Sequence, residues 1–384
     1  MGEIKYYTVT LTAAGPVHIG SGQEISKKDC LYLSNERKVY ILNSMRVFEG
    51  MKRLRLLSDY EKYLMDERQK NFTFFIKDFR ISPAEYKGWA EYTLPLDGIA
   101  NTVTQSRSRG GGSDNIAAFT KDAYGCPYIP GSSLKGALRT AIQGTLCEKD
   151  RGNFAGIARS ISNAGADSRT RFLRNENDRL SKELFYKGKA DPKHPDSAVN
   201  DMFRGLRISD SAPLSVSDLI LCRKTDRLPD GSEKQLPITR ECLKPGTRIR
   251  FDMVIDEKYF SQTIDLVTEA IDTFYNNYRR NFLSAFPKLP SEGTAGAHRI
   301  YIGGGAGFAT KTTVYPLYAD RDRAVEAVQK ILVNTTSTRR EHDPHKHSSD
   351  MRKYHISPHM RKCTKYRSTY YDFGLCGIDI EEKV

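Results

Sequence analysis

The sequence lacks any uninterrupted apolar run of the roughly 18 residues that a membrane-spanning helix requires. Its first residues also lack the basic and then apolar pattern of a secretory leader. We therefore expect neither membrane insertion nor secretion. The seven cysteines are scattered and include no Cys-x-x-Cys pair. Such cysteine usage is typical of a reduced protein, so we expect a cytoplasmic location.

The motifs of common enzymes are missing as well. No P-loop, no Gly-x-Ser-x-Gly elbow and no His-Glu-x-x-His helix occurs in the sequence. Residues 303–307 contain Gly-x-Gly, but no Rossmann order of strand, turn and helix surrounds them. We therefore expect no nucleotide or other cofactor.

Acidic residues are too few to balance the basic ones. Sixty lysines and arginines stand against 47 aspartates and glutamates, which leaves a formal net charge of +13. This excess favours a polyanionic partner, and nucleic acid is the best candidate once membranes are set aside. The length of 384 residues indicates two domains, and the hydrophobic share of 39% is sufficient for real cores.

Strand and helix patterns occur in both halves of the chain. Alternation predicts a strand over 6–12 and a hairpin of 30–33 with 38–42. Ser58 and Ser82 stand three residues before a glutamate, which predicts two helix N-caps. Further strands are expected over 91–96, 116–120, 206–209, 219–223 and 248–255, and helices over 261–282 and 324–333. The fold class is therefore α+β, with a long, mainly helical insertion at about 148–200.

Two glycine-rich loops allow the backbone to approach a ligand closely. They contain Gly20-Ser21-Gly22 and Gly303-Gly304-Gly305-Ala306-Gly307. Tight turns that bind nothing would use the same residues, so each loop alone leaves both interpretations open.

The segment 128–140 contains a helix start with basic residues behind it. Pro130 and Gly131 form a turn, Ser132 or Ser133 can cap a helix to about Leu146, and Lys135 and Arg139 are four residues apart. Free N–H groups at a helix start attract anions, and the two cations on one face would hold a phosphate. The alternative is an ordinary capped helix with solvated basic residues.

Two other segments are basic. Arg107 and Arg109 precede three glycines, a polar and flexible composition. The tail 335–371 combines cations with tyrosines suited to base stacking, so we expect it to be solvated and to face RNA. His355, His359 and Cys363 have a spacing that zinc sites use, but Pro358 interrupts a helix there, and we expect no metal.

His18 and Asp29 are the candidates for catalysis. His18 lies in the first glycine loop, where it could act as a general acid or base on RNA. A structural or phosphate-contacting histidine is the other interpretation, and we prefer it. Asp29 follows the same loop and is expected to be a solvated carboxylate.

Three blocks together resemble one family. They are Gly15–Gly22 (GPVHIGSG), Tyr128–Thr140 (YIPGSSLKGALRT) and Gly303–Phe308 (GGGAGF), which are similar to blocks of the RAMP superfamily of CRISPR RNA-binding subunits. The segments 119–122 and 240–247 resemble the branch that caps the 3′ end of the guide RNA in type III-A effector complexes.

This resemblance implies two tandem ferredoxin-like (RRM-type) domains with long insertions. We expect residues 1–240 and 241–384 to form them. By the same likeness the guide-RNA path is lined by His18, Gly20, Ser21, Gly22, Arg107, Arg109, Ser132, Ser133, Lys135, Arg139, Gly303, Gly304, Gly305 and Gly307.

The resemblance also implies a function without catalysis. The chain is expected to bind the 3′ part of a CRISPR guide RNA and cap the backbone filament in antiviral defence. Its expected partners are the other subunits, above all the backbone RAMP protein, with a recruited host nuclease for 3′ trimming as a further possibility. Two alternatives stay open: a guide-RNA-processing endoribonuclease that uses His18, and another RAMP subunit of a type III complex.

Overall fold

A computed structural model supplies the three-dimensional description of the chain. Arg107 and Arg109, expected to line the RNA path, lie outside the described residues. The structure describes residues 2–66, 71–97, 115–163, 174–188, 190–338 and 340–383.

The described part of the chain contains eleven α-helices. No helix among them is long and apolar enough to cross a membrane. They are α1 (Ser44–Arg53), α2 (Leu57–Met65), α3 (Phe72–Asp78), α4 (Pro83–Gly88), α5 (Gly131–Lys149), α6 (Ala155–Asn163), α7 (Arg174–Phe185), α8 (Ile264–Asn281), α9 (Ser291–Thr294), α10 (Arg321–Thr336) and α11 (His347–Tyr354).

Fourteen strands accompany these helices in the described ranges. They are β1 (Ile4–Ala13), β2 (Gly20–Ile25), β3 (Cys30–Leu33), β4 (Lys38–Leu42), β5 (Ala90–Pro95), β6 (Ile116–Phe119), β7 (Leu206–Ile208), β8 (Leu219–Arg227), β9 (Glu233–Leu243), β10 (Arg248–Asp256), β11 (Arg299–Tyr301), β12 (Arg361–Tyr366), β13 (Thr369–Asp372) and β14 (Leu375–Glu382).

The first sheet, sheet A, has the strand order β11-β14-β1-β10-β7. Its central strand β1 alternates as the sequence predicts, with Tyr7, Val9 and Leu11 buried. β1 pairs antiparallel with both β10 and β14. In chain order, β1, α5, β7, β10, α8 and β14 follow the β-α-β-β-α-β sequence of a ferredoxin-like unit.

The helices α5 and α8 pack against each other and supply apolar faces to the core of sheet A. α8 has a strong helix start, since the Thr263 hydroxyl accepts a hydrogen bond from the N–H of Leu266 at 3.3 Å. Val267, Ala270 and Ile271 recur at helical spacing on its buried face.

The second sheet, sheet B, has the order β13-β12-β8-β9-β6-β2. All its described neighbours are antiparallel except the pair β6 and β9. Strands from both sides of residue 240 lie in sheet A and in sheet B. The expected division into residues 1–240 and 241–384 stays a prediction.

The third sheet, β3-β4-β5, carries helices α1–α4 and has a separate aromatic core. Trp89, Phe72, Phe75 and Tyr63 pack in this core. Its hairpin has the predicted bounds, with β3 ending at Leu33 and β4 beginning at Lys38.

Local patterns were informative for most elements but not for all of them. The prediction at Ser82 is confirmed, because its hydroxyl accepts from the N–H of Glu85. The prediction at Ser58 is wrong, because α2 begins one residue earlier and has no side-chain cap. The tail is not solvated as expected, since 347–372 forms α11, β12 and β13 and buries Tyr366.

Candidate nucleic-acid interface

The first glycine block, residues 15–22, is buried over 15–19 and exposed over 20–22. Gly15 lies so close to sheet B that an added Cβ would be 2.0 Å from the carbonyl oxygen of Asp372. The N–H of Gly15 donates to the carbonyl of Leu375, and the N–H of Gly374 donates to that of Pro16. Beyond Ile19 the chain emerges as β2, where Gly20, Ser21 and Gly22 are exposed.

The second glycine block pairs with the first. The N–H of Gly304 donates to the carbonyl oxygen of His18 at 2.7 Å. Gly303 has a φ of +74°, and a Cβ there would lie 2.3 Å from the same oxygen. Only glycine fits this left-handed position against a backbone atom. Two blocks nearly 300 residues apart in sequence are therefore joined through their backbones.

His18 is a buried support of this surface. Its side chain is 5% exposed, and its Nδ1–H donates to the carbonyl oxygen of Glu241 at 2.7 Å. Burial lowers the pKa of His18, an effect that this hydrogen bond partly offsets. The ring is therefore neutral at pH 7, and Nε2 is the remaining acceptor, adjacent to Gly20.

Glu241 holds several segments together beneath the first glycine block. Its carboxylate is fully buried and accepts from Lys121 Nζ at 2.6 Å, from Tyr92 Oη at 2.7 Å and from the N–H of Phe119 at 2.8 Å. Burial and Glu241 raise the pKa of Tyr92 far above its usual value. His18, Tyr92 and Lys121 thus all donate hydrogen bonds to Glu241. His18 bonds its backbone carbonyl, whereas Tyr92 and Lys121 bond its carboxylate.

The start of helix α5 differs from the sequence prediction. The helix begins at Gly131, and neither Ser132 nor Ser133 caps it. Instead, the N–H of Gly131 donates to Asp210 Oδ1 at 2.9 Å, so a carboxylate of this chain already meets the helix start. The helix ends at Lys149, three residues later than predicted.

Lys135 and Arg139 share one face of α5, as their spacing predicts, but that face is turned toward the insertion. Arg139 Nη1 lies 2.8 Å from Asp201 Oδ2, and its guanidinium carbon lies 4.3 Å from the centre of the Phe185 ring and 4.8 Å from that of Phe203. Burial lowers the pKa of Lys135, an effect that Asp201 partly offsets. Arg139 therefore has partners inside the protein, and its contact with phosphate stays a prediction.

Ser132 and Ser133 lie in the first turn of α5, and Gly136 lies about one turn further on. They line a cavity of about 310 Å³ that also includes Gly303. The structure thus brings the helix start of the segment 128–140 next to the second glycine loop.

A basic cluster behind the second glycine loop was missed by the sequence analysis. The cluster consists of Lys224, Arg240 and Lys362, which lie on neighbouring strands of sheet B with Asp226 among them. Lys362 Nζ is 2.9 Å from Asp226 Oδ2. Burial lowers the pKa of Lys224, and the nearby Lys362 ammonium lowers it further. Three cations thus face a single carboxylate in this cluster.

The second glycine loop touches this cluster directly. A Cβ on Gly305 would lie 2.9 Å from Arg240 Nη1, and one on Gly307 would lie 2.8 Å from Lys362 Cγ. Arg240 Nη1 is buried and has no hydrogen-bond partner among the described residues. The alternation along 219–227 and 233–243 could have predicted that Lys224 and Arg240 share one face of a sheet. It could not have predicted that they lie next to a loop about 60 residues further along the chain.

The other catalytic and metal candidates are dispersed. Asp29 is exposed in the turn before β3. His355 is the C-cap of α11, whereas Cys363 lies buried in β12, so the two residues do not share a helix face. The ranges that the structure describes contain no group of three or more His, Cys, Asp or Glu residues arranged to hold a metal ion.

Comparisons with known proteins give one consistent family. The sequence profile of the RAMP superfamily matches residues 10–308. The chain is 27% identical over 402 aligned residues to the CRISPR system Cms protein Csm5 of Mycobacterium tuberculosis, covering 98% of both chains. It is 28% identical over 315 residues to the Csm5 protein of Streptococcus thermophilus, covering 81% of this chain and 80% of that one.

Two solved structures share the fold at 19% identity. One is a chain of a cryo-EM structure of a Csm–crRNA–target RNA ternary complex of a type III-A CRISPR–Cas system, with a TM-score of 0.61 over 97% of this chain and 100% of that chain. The other is the crystal structure of Csm5 from T. onnurineus, with a TM-score of 0.60 over 96% and 99% of the two chains.

Proposed function

The chain belongs to the RAMP superfamily, and we propose that it is an RNA-binding subunit of a type III-A CRISPR effector complex. In this role it binds the 3′ part of the guide RNA and caps the backbone filament, in defence against invading nucleic acid. Its partners are the guide RNA and the other subunits, chiefly the backbone RAMP protein, and it acts in the cytoplasm. Similarity to Csm5 proteins over nearly the whole chain supports this proposal.

One observation carries the proposal: the paired glycine loops lie against the basic cluster. The pairing of Gly304 with His18 brings the loop 303–307 next to the exposed residues 20–22, where ligand phosphates can approach the backbone. Lys224, Arg240 and Lys362 provide cations beside it, with a single carboxylate among them. Such a site recognises phosphates rather than base edges, so binding is indifferent to guide sequence.

We propose that the RNA path runs where the glycine blocks reach solvent. Gly20, Ser21 and Gly22 form one exposed edge, and Gly303, Gly304, Gly305 and Gly307 form the adjoining loop. Ser132 and Ser133, in the first turn of α5, extend the path along the start of that helix. Lys135 and Arg139 would act at its far end beside the insertion, and Arg107 and Arg109 would add a basic clamp.

We also propose that the fold derives from two tandem ferredoxin-like units. The alternation of β1, α5, β7, β10, α8 and β14 supports one unit. Sheet B would represent the second, remodelled unit, to which β12 and β13 have been added.

Binding without catalysis is part of the proposal. His18 is buried and bonded to Glu241, and the polar atoms of Tyr92 and Lys121 are engaged by the same residue. Asp29 lies in an exposed turn, so Asp29→Ala should leave target cleavage by the assembled complex intact. Complete loss of cleavage would contradict the proposal.

Incubating the purified chain with repeat RNA distinguishes the endoribonuclease alternative from the non-catalytic proposal. We expect no discrete cleavage products. Products that His18→Ala abolishes would favour the enzyme. His18→Asn is the matched control, because its amide can replace the Nδ1–H donor to Glu241 while it removes the acid–base ring.

The assembly role is tested by co-purification with the other type III-A subunits and by photo-crosslinking the bound guide RNA. The 3′ part of the RNA should crosslink to this chain. Crosslinks confined to the 5′ tag would instead assign it to another RAMP position in the complex. Digestion of the 3′ end only when a host nuclease is added would support recruitment of that nuclease.

A further inference from the structure

The cavity beside the second glycine loop has the dimensions of a small-ligand site. It has a volume of about 310 Å³, at the lower end of the range for ligand pockets. It lies between the N-terminal half of α5, the middle of α8, strand β11 and the segment 302–311. A site of this size accommodates one nucleotide rather than several.

The cavity walls favour a flat, apolar group. Phe274, Tyr275 and Tyr278 of α8 form an aromatic wall, and Ile300 and Ile302 also line the cavity. Tyr275 stacks on Tyr301 and Tyr278 stacks on Phe282, so Phe274 is the ring of this wall that has no stacked partner among the described residues. Aromatic faces of this kind stack nucleobases without regard to their identity.

The polar groups of the cavity favour an anion. Arg299 and Lys311 are its two cations, and no aspartate or glutamate is among its described lining residues. Lys311 Nζ donates to the carbonyl oxygen of Gly303 at 2.5 Å, and burial lowers the pKa of Lys311. The guanidinium of Arg299 lies 5.3 Å from the centre of the Tyr275 ring. Cations thus stand beside the aromatic wall, at the glycine loop where the RNA path passes.

We propose that this cavity holds one unstacked nucleotide of the bound RNA strand. Its base stacks on Phe274 of the aromatic wall, and its phosphate meets Lys311 and Arg299. This inference rests on the proposed function, since the RNA path passes the second glycine loop. It adds base stacking, without base selection, to a surface that otherwise holds only phosphates.

Gly136 provides a direct way to fill the cavity. It lines the cavity on α5, and a Cβ added there has no atom within 4 Å. Gly136→Leu therefore places an apolar side chain in the cavity, and it also replaces a poor helix former. Gly156→Leu is the matched control, because Gly156 is an exposed glycine of α6 with equally open space and lies outside the cavity lining.

The experiment measures affinity by fluorescence anisotropy with the full chain and two probes. One probe is a labelled 12-nucleotide uridine RNA, and the other is an abasic oligomer of the same length and charge. Gly136→Leu should weaken binding of the uridine RNA about fivefold or more, as expected for a lost base stack. Binding of the abasic oligomer should be unchanged, and Gly156→Leu should match the wild type with both probes.

Other outcomes would overturn the inference in distinguishable ways. Equal losses with both probes would mean that the leucine obstructs the phosphate path and that no base enters the cavity. Unchanged binding of the uridine RNA would also overturn it and leave the proposed function intact. Free UMP that competes as strongly as the 12-mer would assign the cavity to a mononucleotide. Failure of the wild type to bind either probe would contradict the proposed function itself.

Discussion

Lys224 carries a charge that the folded chain does not require. Burial and the neighbouring Lys362 lower its pKa, which means that the protonated side chain is held at a free-energy cost. We predict that Lys224→Ala leaves the free energy of unfolding unchanged or raises it. RNA affinity should fall about fivefold, and the slope of log affinity against log salt should decrease by about 1.

Lys52→Ala is the control for this prediction. Lys52 is an exposed cation of α1, in the part of the chain built on the separate aromatic core. It changes the net charge equally, so equal losses in both variants would show that only total charge matters. Unfolding of Lys224→Ala at lower temperature would show that the lysine is structural.

Arg361 has the opposite role and is required by the fold. It is 2% exposed and donates to both oxygens of Asp372 at 2.7 and 2.6 Å, to Glu292 at 2.8 Å and to the carbonyl of Pro287. Arg361→Ala leaves the Asp372 carboxylate buried and uncompensated, so the free energy of unfolding should fall by about 3–5 kcal/mol. Chemical denaturation measures this loss.

A charge-free replacement of the pair provides the control. Arg361→Met combined with Asp372→Leu removes both charges, so it should recover part of the stability. If the double variant is less stable than Arg361→Ala, the buried charge of Asp372 is not the cause of the loss.

His347 makes stability depend on pH. Burial, assisted by the nearby His359, lowers the pKa of His347 to about 4. The unfolded chain takes up this proton below about pH 6.5, whereas the folded chain does so only near pH 4. The free energy of unfolding should therefore decrease as the pH falls through this window, by about 2 kcal/mol from this residue.

Thermal unfolding between pH 7 and pH 4 measures this dependence. His347→Gln should flatten the pH profile, although His18 and His359, whose pKa values are also lowered, keep part of it. An identical slope in the variant would contradict the assignment to His347.

At the scale of secondary-structure elements, two glycines of one helix should respond oppositely to the same change. A Cβ on Gly131 would lie 2.3 Å from the carbonyl oxygens of Ile208 and Ser209, whereas one on Gly136 meets nothing within 4 Å. Gly131→Ala should therefore destabilise the protein by about 1–3 kcal/mol, because β7 must move. Gly136→Ala should stabilise it by up to about 1 kcal/mol.

Denaturation midpoints of the two variants test this contrast directly. Equal effects would mean that α5 does not contact β7 through Gly131. Because Gly136 lines the cavity, its alanine variant also shows how much a single methyl group disturbs RNA binding there.

Most elements could be predicted because their residues carry local patterns. The alternation in β1 and the helical stripe of α8 reflect burial of one face, which sequence spacing reports. The cap of α5 could not be predicted, because its acceptor is Asp210, almost 80 residues away. The spacing of Lys135 and Arg139 gave their shared face but not its partner, since Asp201 and two phenylalanines decide that.

At the scale of the whole molecule, strand pairing joins the two ends of the chain. β1 pairs along its length with β10 on one side and with β14 on the other. A fragment of residues 1–240 would leave β1 without either neighbour, so we predict that the fragments 1–240 and 241–384 do not fold separately. Co-expression should restore a soluble complex.

Soluble separate fragments with cooperative unfolding transitions would contradict this expectation. They would support instead the predicted division at residue 240 as one between independently folding domains. Circular dichroism and heat denaturation of the purified fragments provide the measurement.

Because the site is formed by contacts between distant segments, only part of it could be predicted from the sequence. Glycine blocks and a basic composition are visible in the sequence, so a phosphate-binding surface could be expected. The two glycine blocks are joined by the hydrogen bond between Gly304 and His18, which depends on how distant segments pack. The position of the basic cluster depends on the same packing. These contacts are non-local, so neither propensity nor spacing could supply them.

The central claim is that the paired glycine loops and the basic cluster hold the 3′ part of the guide RNA. Photo-crosslinking of guide RNA in the reconstituted complex, followed by peptide mass spectrometry, tests it most directly. Peptides covering residues 15–22 and 299–311 should crosslink to the nucleotides nearest the 3′ end, for guides of any sequence. Crosslinks to these peptides from the 5′ tag, or none from this chain, would contradict the account.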